Sequence, residues 1–352
     1  MGLLRKNYKG MSDDQKQRFV RAIKTLSQSG VVGKFAEIHN ANFFLGIHGT
    51  SHFLPWHREM LYRFELELQK VDSSVTIPYW DSTADNLSSS PLWAEAFLGQ
   101  FNSAWNLNRA LGAPGTRLPI VKQVQDNHQQ PTYNAFWPDL EVNIHNPPHM
   151  WVGGTMATGY SPWDPAFYLH HCWIDMLWAW WQTWHKDAPF VASGPRWGLT
   201  DPLLAWPDRT PANVIDHRKL GYRYDSDHWL AAGDVLNPSD CQFSLDGKYM
   251  VLFKQGLLGY QTSDQKLLWQ SSDPTTGTSC IMQSDGNLVI YDDSNPNQHR
   301  AIWASNTVGH NNSYLLIQND GHLGIYDSNW RPLTPKPWSV PPPAKGRPEG
   351  WG

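Results

Sequence analysis

The stretch DPAFYLHHCWIDMLWAWW, residues 164–181, sets two adjacent histidines among four tryptophans. Read as a helix, it carries Phe167, His171, Ile174 and Trp178 on one face, which is the interior stripe. An imidazole on that stripe needs a partner for each ring nitrogen, because a buried polar group left unpaired costs about 1–3 kcal/mol. The stretch itself offers almost nothing but apolar surface. The fold must therefore bring a partner to His171 from elsewhere, and a metal ion is a natural one.

The other histidines supply the rest of that constraint. Nine of the fifteen lie between residues 39 and 171, and six of these form two groups of three. The first group is His39, His48 and His57; the second is His145, His149 and His171. Residues four apart share a helix face, so His145 and His149 can aim at one point. All-imidazole coordination suits copper, zinc, iron or nickel, whereas magnesium and calcium want oxygen. Neither group has a carboxylate at ligand spacing, which weakens non-haem iron and the zinc-protease pattern. A pair of three-histidine sites could bind two coppers around O2; a single zinc site would leave one triplet unexplained. For His145 and His149 alone, a hydrogen-bonded core pair and a metal pair are equally open readings. His128, His185, His217 and His228 read as hydrogen-bonded core histidines.

The length of 352 residues suits two domains. A formal charge of −4, with cations scattered along the chain, gives no footprint for nucleic acid or an anionic membrane. Three cysteines, Cys172, Cys241 and Cys280, do not make a disulfide framework. No apolar run reaches the ~18 residues of a membrane span. The N-terminus shows no signal-peptide core, so a cytoplasmic location is expected, with secretion of a trimmed form as the alternative. Residues 12–29 read as a helix capped by Ser12, and a second helical pattern runs on from Trp56. Residues 145–152 and 165–185 are helical as well. Up to residue 228 the chain reads as mainly α. From 229 to 338 it changes to short alternating runs with Asp-Gly turns at Asp246, Asp285 and Asp320, each followed by a tryptophan (Trp269, Trp303, Trp338). That is an all-β repeat. Residues 339–352 read as a Pro/Gly-rich disordered tail.

With these residues in view, the segment HGTSHFLPWHREMLYRFE, His48 to Glu65, resembles the first copper signature of tyrosinases. DPAFYLHHCWID, Asp164 to Asp175, resembles their second, and the order of all six histidines matches. The similarity runs from about residue 5 to 228. It implies a four-helix bundle holding two copper ions, with O2 as co-substrate, through Nε2 of His39, His48, His57, His145, His149 and His171. It also implies that Glu141 and Asn146 hold a water that deprotonates a phenol, with Asp139 as a substitute for Glu141. Phe167 would pack on a ligand ring, and Asp175 would hydrogen-bond a ligand or Arg58. Glu141 lies unusually close to His145, Trp163 stands where asparagine is common before Asp-Pro, and no thioether cysteine precedes His48. His170 is expected to hydrogen-bond rather than ligate, and His52 is an extra histidine between two ligands.

The repeat region resembles bulb-type mannose-binding lectins, which implies a β-prism. Their sugar motif stands complete once, as Gln283, Asp285, Asn287, Val289 and Tyr291. The third repeat keeps Gln318, Asp320 and Tyr326 but has His322 and Gly324. The first keeps Asp246 but has Ser244 and Lys248. The expected fold is thus a mainly α copper domain over 1–228 followed by an all-β prism over 229–338.

The resulting expectation is a tyrosinase that hydroxylates phenols or tyrosyl groups and oxidises o-diphenols to o-quinones, with activity falling below pH ~6 as protons compete for imidazole. Two alternatives stand beside it: a catechol or o-aminophenol oxidase without hydroxylation, and a carbohydrate-binding protein with a vestigial copper domain. The C-terminal region would be a lid over the copper site or a module for mannose-type glycans.

Overall fold

The computed structural model describes residues 3–340 except 186, 226–228, 231, 239, 245–247, 263–264, 272–275, 296–297, 312, 318–320, 328–332 and 334–338. The chain divides into two compact units, Arg5–Tyr222 and Met1–Leu4 with Arg223–Gly352.

The first unit is helical. Helix α1 (Asp13–Gln28) starts at a capping box, in which Ser12 accepts from the Gln15 N–H and the Gln15 side chain answers the Ser12 N–H. Its buried face is Phe19, Val20, Ile23 and Leu26, at helical spacing. Gly30, with φ +80°, turns the chain into helix α2 (Val31–Asn42). Helix α3 (Phe53–Val71) begins three residues before the Trp56 read from sequence, and its whole first half is buried. A long helix, Ala166–Trp184, packs against α3, and α1 packs against both α2 and α3. No helix among the described residues is long and apolar enough to cross a membrane.

The segment before the long helix departs from a plain α reading. Tyr133–Asp139 is α-helical, Leu140–His145 is π-helical and Asn146–Val152 is α-helical again. The Asn146 N–H reaches the Glu141 carbonyl, one residue further back than in an α-helix. Pro147 and Pro148 follow and have no N–H to give. Few α-type bonds are therefore sacrificed where the helix widens, and such widenings recur at functional sites.

The described residues of the second unit form three four-stranded antiparallel sheets. One joins Cys241–Phe243, Tyr249–Lys254, Leu257–Thr262 and Leu267–Gln270. Another joins Arg300–Ala304, Leu288–Asp292, Ser279–Met282 and Val235–Leu236. The last joins Ser339–Val340, Leu323–Tyr326, Tyr314–Ile317 and Trp229–Leu230. Ser339–Val340 is thus a strand, standing where the sequence reading began a disordered tail. One core gathers Val251, Phe253, Cys280, Ile290, Leu315 and Ile325 from all three sheets. The Asp285-Gly286 turn needs its glycine, since φ is +90° and a Cβ would lie 2.2 Å from the His310 carbonyl oxygen. Asp246, Gln318, Asp320, Trp338 and His228 lie outside the described residues.

Candidate metal centre

Two groups of imidazoles converge in the helical unit. His39, His48 and His57 form one; His145, His149, His170 and His171 form the other. His39 lies late in α2, His48 in the turn that follows, and His57 at the start of the second turn of α3. His145 closes the π-helical segment, His149 is in the α-turn after it, and His171 is on the long helix.

Proton placement can be read from the partners. Nδ1 of His39 faces the Gly159 carbonyl at 2.7 Å, that of His57 faces Phe53 at 2.8 Å, and that of His149 faces Met156 at 2.8 Å. His48 Nδ1 is 3.5 Å from the Phe43 carbonyl. A carbonyl only accepts, so these contacts put the proton on Nδ1 and leave a lone pair on Nε2. Nε2 of His39 and of His57 is buried with no hydrogen-bond partner. In the second group, Nε2 of His145, His149 and His171 lie 3.0, 3.2 and 3.2 Å apart. His145 Nδ1 is 2.9 Å from Asn146 Oδ1, so at least two of the three facing atoms are lone pairs.

Converging lone pairs at that distance repel one another unless a cation sits between them. A triangle of those sides has its centre ~1.8 Å from each corner, close to the ~2.0–2.1 Å of imidazole ligation, so the three nitrogens would hold one metal ion between them. The donor set is all nitrogen, as copper favours. Burial holds the rings neutral, as ligation requires. It lowers His39 to a pKa of about 3 and His48 and His149 to about 4, and pushes His57, His145 and His171 well below the usual value. The residues fit a pair of copper ions.

Other site residues read from the sequence fall as follows. Phe167 stacks on His171 with ring centroids 4.0 Å apart. Asp175 reaches Arg58: Arg58 Nε donates to Oδ1 at 2.5 Å. Its Oδ2 accepts from the Tyr222 hydroxyl at 2.6 Å and from Arg5 at 3.3 Å. Arg5 also pairs with Glu65, at 2.9 Å. Arg5 and Tyr222 escaped the sequence reading, because nothing local marks residues that far apart as partners. His170 donates Nε2–H to the His145 carbonyl at 3.0 Å. His52 bonds the Gly198 carbonyl and packs on Trp197, outside both imidazole groups.

Glu141 is buried and both its oxygens accept from the Gly49 N–H, at 2.9 and 3.0 Å. Desolvation raises its pKa to about 7, against the pull of that bond. Among the described residues no hydrogen bond joins Glu141 to Asn146, whose oxygen is engaged by His145. Asp139 binds Asn127 and Asn143 instead.

In the β unit the sugar-motif residues are tied to one another. Gln283 Nε2 donates to the Tyr291 hydroxyl at 2.7 Å, and Asn287 Oδ1 accepts from Ser305 and from the Thr307 N–H, both at 3.1 Å. The Asn287 N–H is held by Asp285. His299 lies flat on Tyr291, centroids 3.8 Å apart. In the third repeat the Tyr326 hydroxyl meets His322 at 2.8 Å.

Comparison with known proteins agrees with this geometry. The family model described as the common central domain of tyrosinase matches residues 30–109 and 100–184. The tyrosinase of Streptomyces antibioticus is 38% identical over 272 residues, 63% of this chain and 99% of that protein. A functional unit of octopus hemocyanin shares the fold, with TM-score 0.50 and 24% identity over 67% of this chain and 76% of its own. A monocot mannose-binding lectin from Gastrodia elata is 30% identical over 32% of this chain and 96% of its own, at a TM-score of only 0.28. By that identity and coverage, the chain belongs to the tyrosinase family, copper enzymes that hold two copper ions and use O2.

Proposed function

We propose that this chain hydroxylates monophenols ortho to the hydroxyl group and oxidises o-diphenols to o-quinones, with His39, His48 and His57 holding one copper and His145, His149 and His171 the other. The observation that carries the reading is the triangle of Nε2 atoms from His145, His149 and His171, 3.0–3.2 Å on a side. The bound copper pair supplies the redox chemistry with O2. The protein's part is orientation and proton handling. Backbone carbonyls fix the tautomer of His39, His57 and His149, and Phe167 packs on the His171 ring. Glu141, at a pKa of about 7, is poised to take a phenol's proton through a water shared with Asn146. Exposed Phe44, Leu45, Val142 and Met150 are close in sequence to His48, Glu141 and His149 and offer apolar surface to a phenolic or tyrosyl substrate.

The second reading, diphenol oxidation without hydroxylation, is favoured by one observation: Glu141 gives both oxygens to Gly49 rather than to Asn146. Oxygen uptake by copper-loaded protein, first with a monophenol and then with an o-diphenol, separates the two. Uptake with the diphenol alone selects the second, and uptake with neither sinks both.

The C-terminal unit we assign as a cover for the copper site or a glycan module, and its own polar residues favour the cover. Its most complete sugar motif is satisfied internally, with His299 on the face of Tyr291. A chain ending near residue 228 should oxidise phenols faster than the full protein. Equal rates would end the cover reading.

A further inference from the structure

A cavity of about 380 Å³ in the helical unit is bounded by Gly33, Ala36 and Glu37 of α2 on one side and by Trp105, Tyr160 and Trp163 on the other. It lies beside the buried face of α2 rather than on it: Gly33 and Glu37 are on the more exposed side, and Val32, Phe35, Ala36 and His39 make the buried face. Trp163 is the residue that departs from the asparagine common before Asp-Pro. Its ring sits where a Cβ on Gly33, in the first turn of α2, would come within 3.2 Å, so Gly33 leaves room for this indole. Trp105 stands beside Trp163, centroids 5.7 Å apart and planes 45° apart, so the two indoles make an angled corner rather than a flat stack. Tyr160 is half exposed at the rim.

The charge in this cavity is a single carboxylate. Glu37 is exposed, and among the described residues it makes no ion pair or hydrogen bond; the Asn106 side chain is equally free. Three electron-rich ring systems plus one unpaired carboxylate are the elements that recognise an organic cation: ring faces attract an ammonium group, and the carboxylate supplies its counter-charge. A neutral sugar or an apolar ligand would gain nothing from that charge, and an anion would be repelled.

We propose that this cavity binds a small organic ammonium ion, with its alkyl groups in the corner of Trp105 and Trp163 and its charge toward Glu37. The site is separate from the histidine groups, so copper-free protein binds as well as copper-loaded protein does.

The test is titration of the full chain, with and without copper, by choline and by its neutral isostere 3,3-dimethylbutan-1-ol, following tryptophan fluorescence and heat. Choline is expected to saturate in the millimolar range and to bind about tenfold more tightly than the isostere. Glu37→Gln is a surface change that leaves the fold intact, and it should remove most of that difference. Tyr160→Ala should weaken choline severalfold and leave phenol oxidation unchanged. The proposal is overturned if choline gives no saturable signal, if the isostere binds equally well, or if Glu37→Gln binds choline as the parent does.

Discussion

His57 and His171, from different helices and different imidazole groups, stack with ring centroids 4.4 Å apart and planes 17° apart. The two groups therefore share a wall, and each ring is buried against the other. A proton on either ring would be desolvated and would face a cluster of like groups, which is why burial and neighbouring histidines push both pKa values down.

Acid should accordingly unfold the copper-free protein early. An unfolded histidine takes its proton near pH 6.5, whereas His48 and His149 resist until about 4 and His39 until about 3. The contribution of these histidines is complete above pH 6.5. It loses ~1.4 kcal/mol per pH unit for each such imidazole as pH falls toward the folded values. Urea midpoints of chelator-treated protein at pH 7.5 and 5.5 read this directly, and unchanged midpoints would contradict it.

Each histidine group should lose its ion separately. His39→Gln and His149→Gln remove one nitrogen from different groups, and each should bring bound copper from two ions per chain toward about one, since a two-nitrogen remnant holds copper far more weakly. Metal analysis after dialysis gives the count. Two ions retained in both variants would mean that the ligands are wrongly assigned.

Glu141 should separate the two reactions. Its raised pKa and buried setting suit a proton acceptor for a monophenol, while an o-diphenol has the oxygen to be added already in place. Glu141→Gln keeps an oxygen for the Gly49 N–H but cannot take a proton. Hydroxylation should fall about 10²-fold, with diphenol oxidation changing far less. A parallel fall in both rates would make Glu141 a structural cap for the Gly49 turn.

The Asp175 carboxylate should matter more to folding than to chemistry. It joins Arg5, Arg58 and Tyr222 in a buried cluster, and Arg58 also lies over Trp178 at 3.7 Å. Asp175→Asn takes the carboxylate from buried Arg58, while Arg5 keeps Glu65, with an expected cost of about 3–5 kcal/mol. Thermal unfolding of the copper-loaded variant measures it, and a melting temperature like the parent's would show the cluster to be dispensable.

Much of this site could be read from spacing. Six histidines in two triplets, the Ser12 cap and the interior stripe of the long helix all rest on local periodicity, and periodicity survives in a sequence. What could not be read depends on partners far apart in the chain. The Gly159 and Met156 carbonyls that fix two imidazole tautomers are backbone atoms, which carry no residue signal. Arg5 and Tyr222 meet at Asp175 from opposite ends of the helical unit. The π-helical step at Leu140–His145 was hidden because prolines signal a helix start or stop, not a change of pitch. The sugar motif shows the converse failure. Gln283, Asp285, Asn287 and Tyr291 were legible as a pattern, but the ring that covers Tyr291 comes from the next strand's approach, outside the motif.

That covering ring gives the last prediction. His299 is held over Tyr291 by a 2.6 Å contact between its Nδ1 and Asp293, and the Tyr291 hydroxyl is already engaged by Gln283. A sugar approaching this strand would have to displace the imidazole and then compete for a hydroxyl in use. His299→Ala removes the ring and exposes the Tyr291 face without touching Asn287, whose oxygen braces Ser305 and Thr307. Because such a ring stack is worth about 0.5–1.5 kcal/mol, the variant should bind a methyl mannoside some three- to tenfold more tightly than the parent. Calorimetric titration of both proteins decides it. If the variant gains nothing, the repeat is a scaffold whose sugar motif serves its own hydrogen bonding, and the glycan role of the C-terminal unit falls with it.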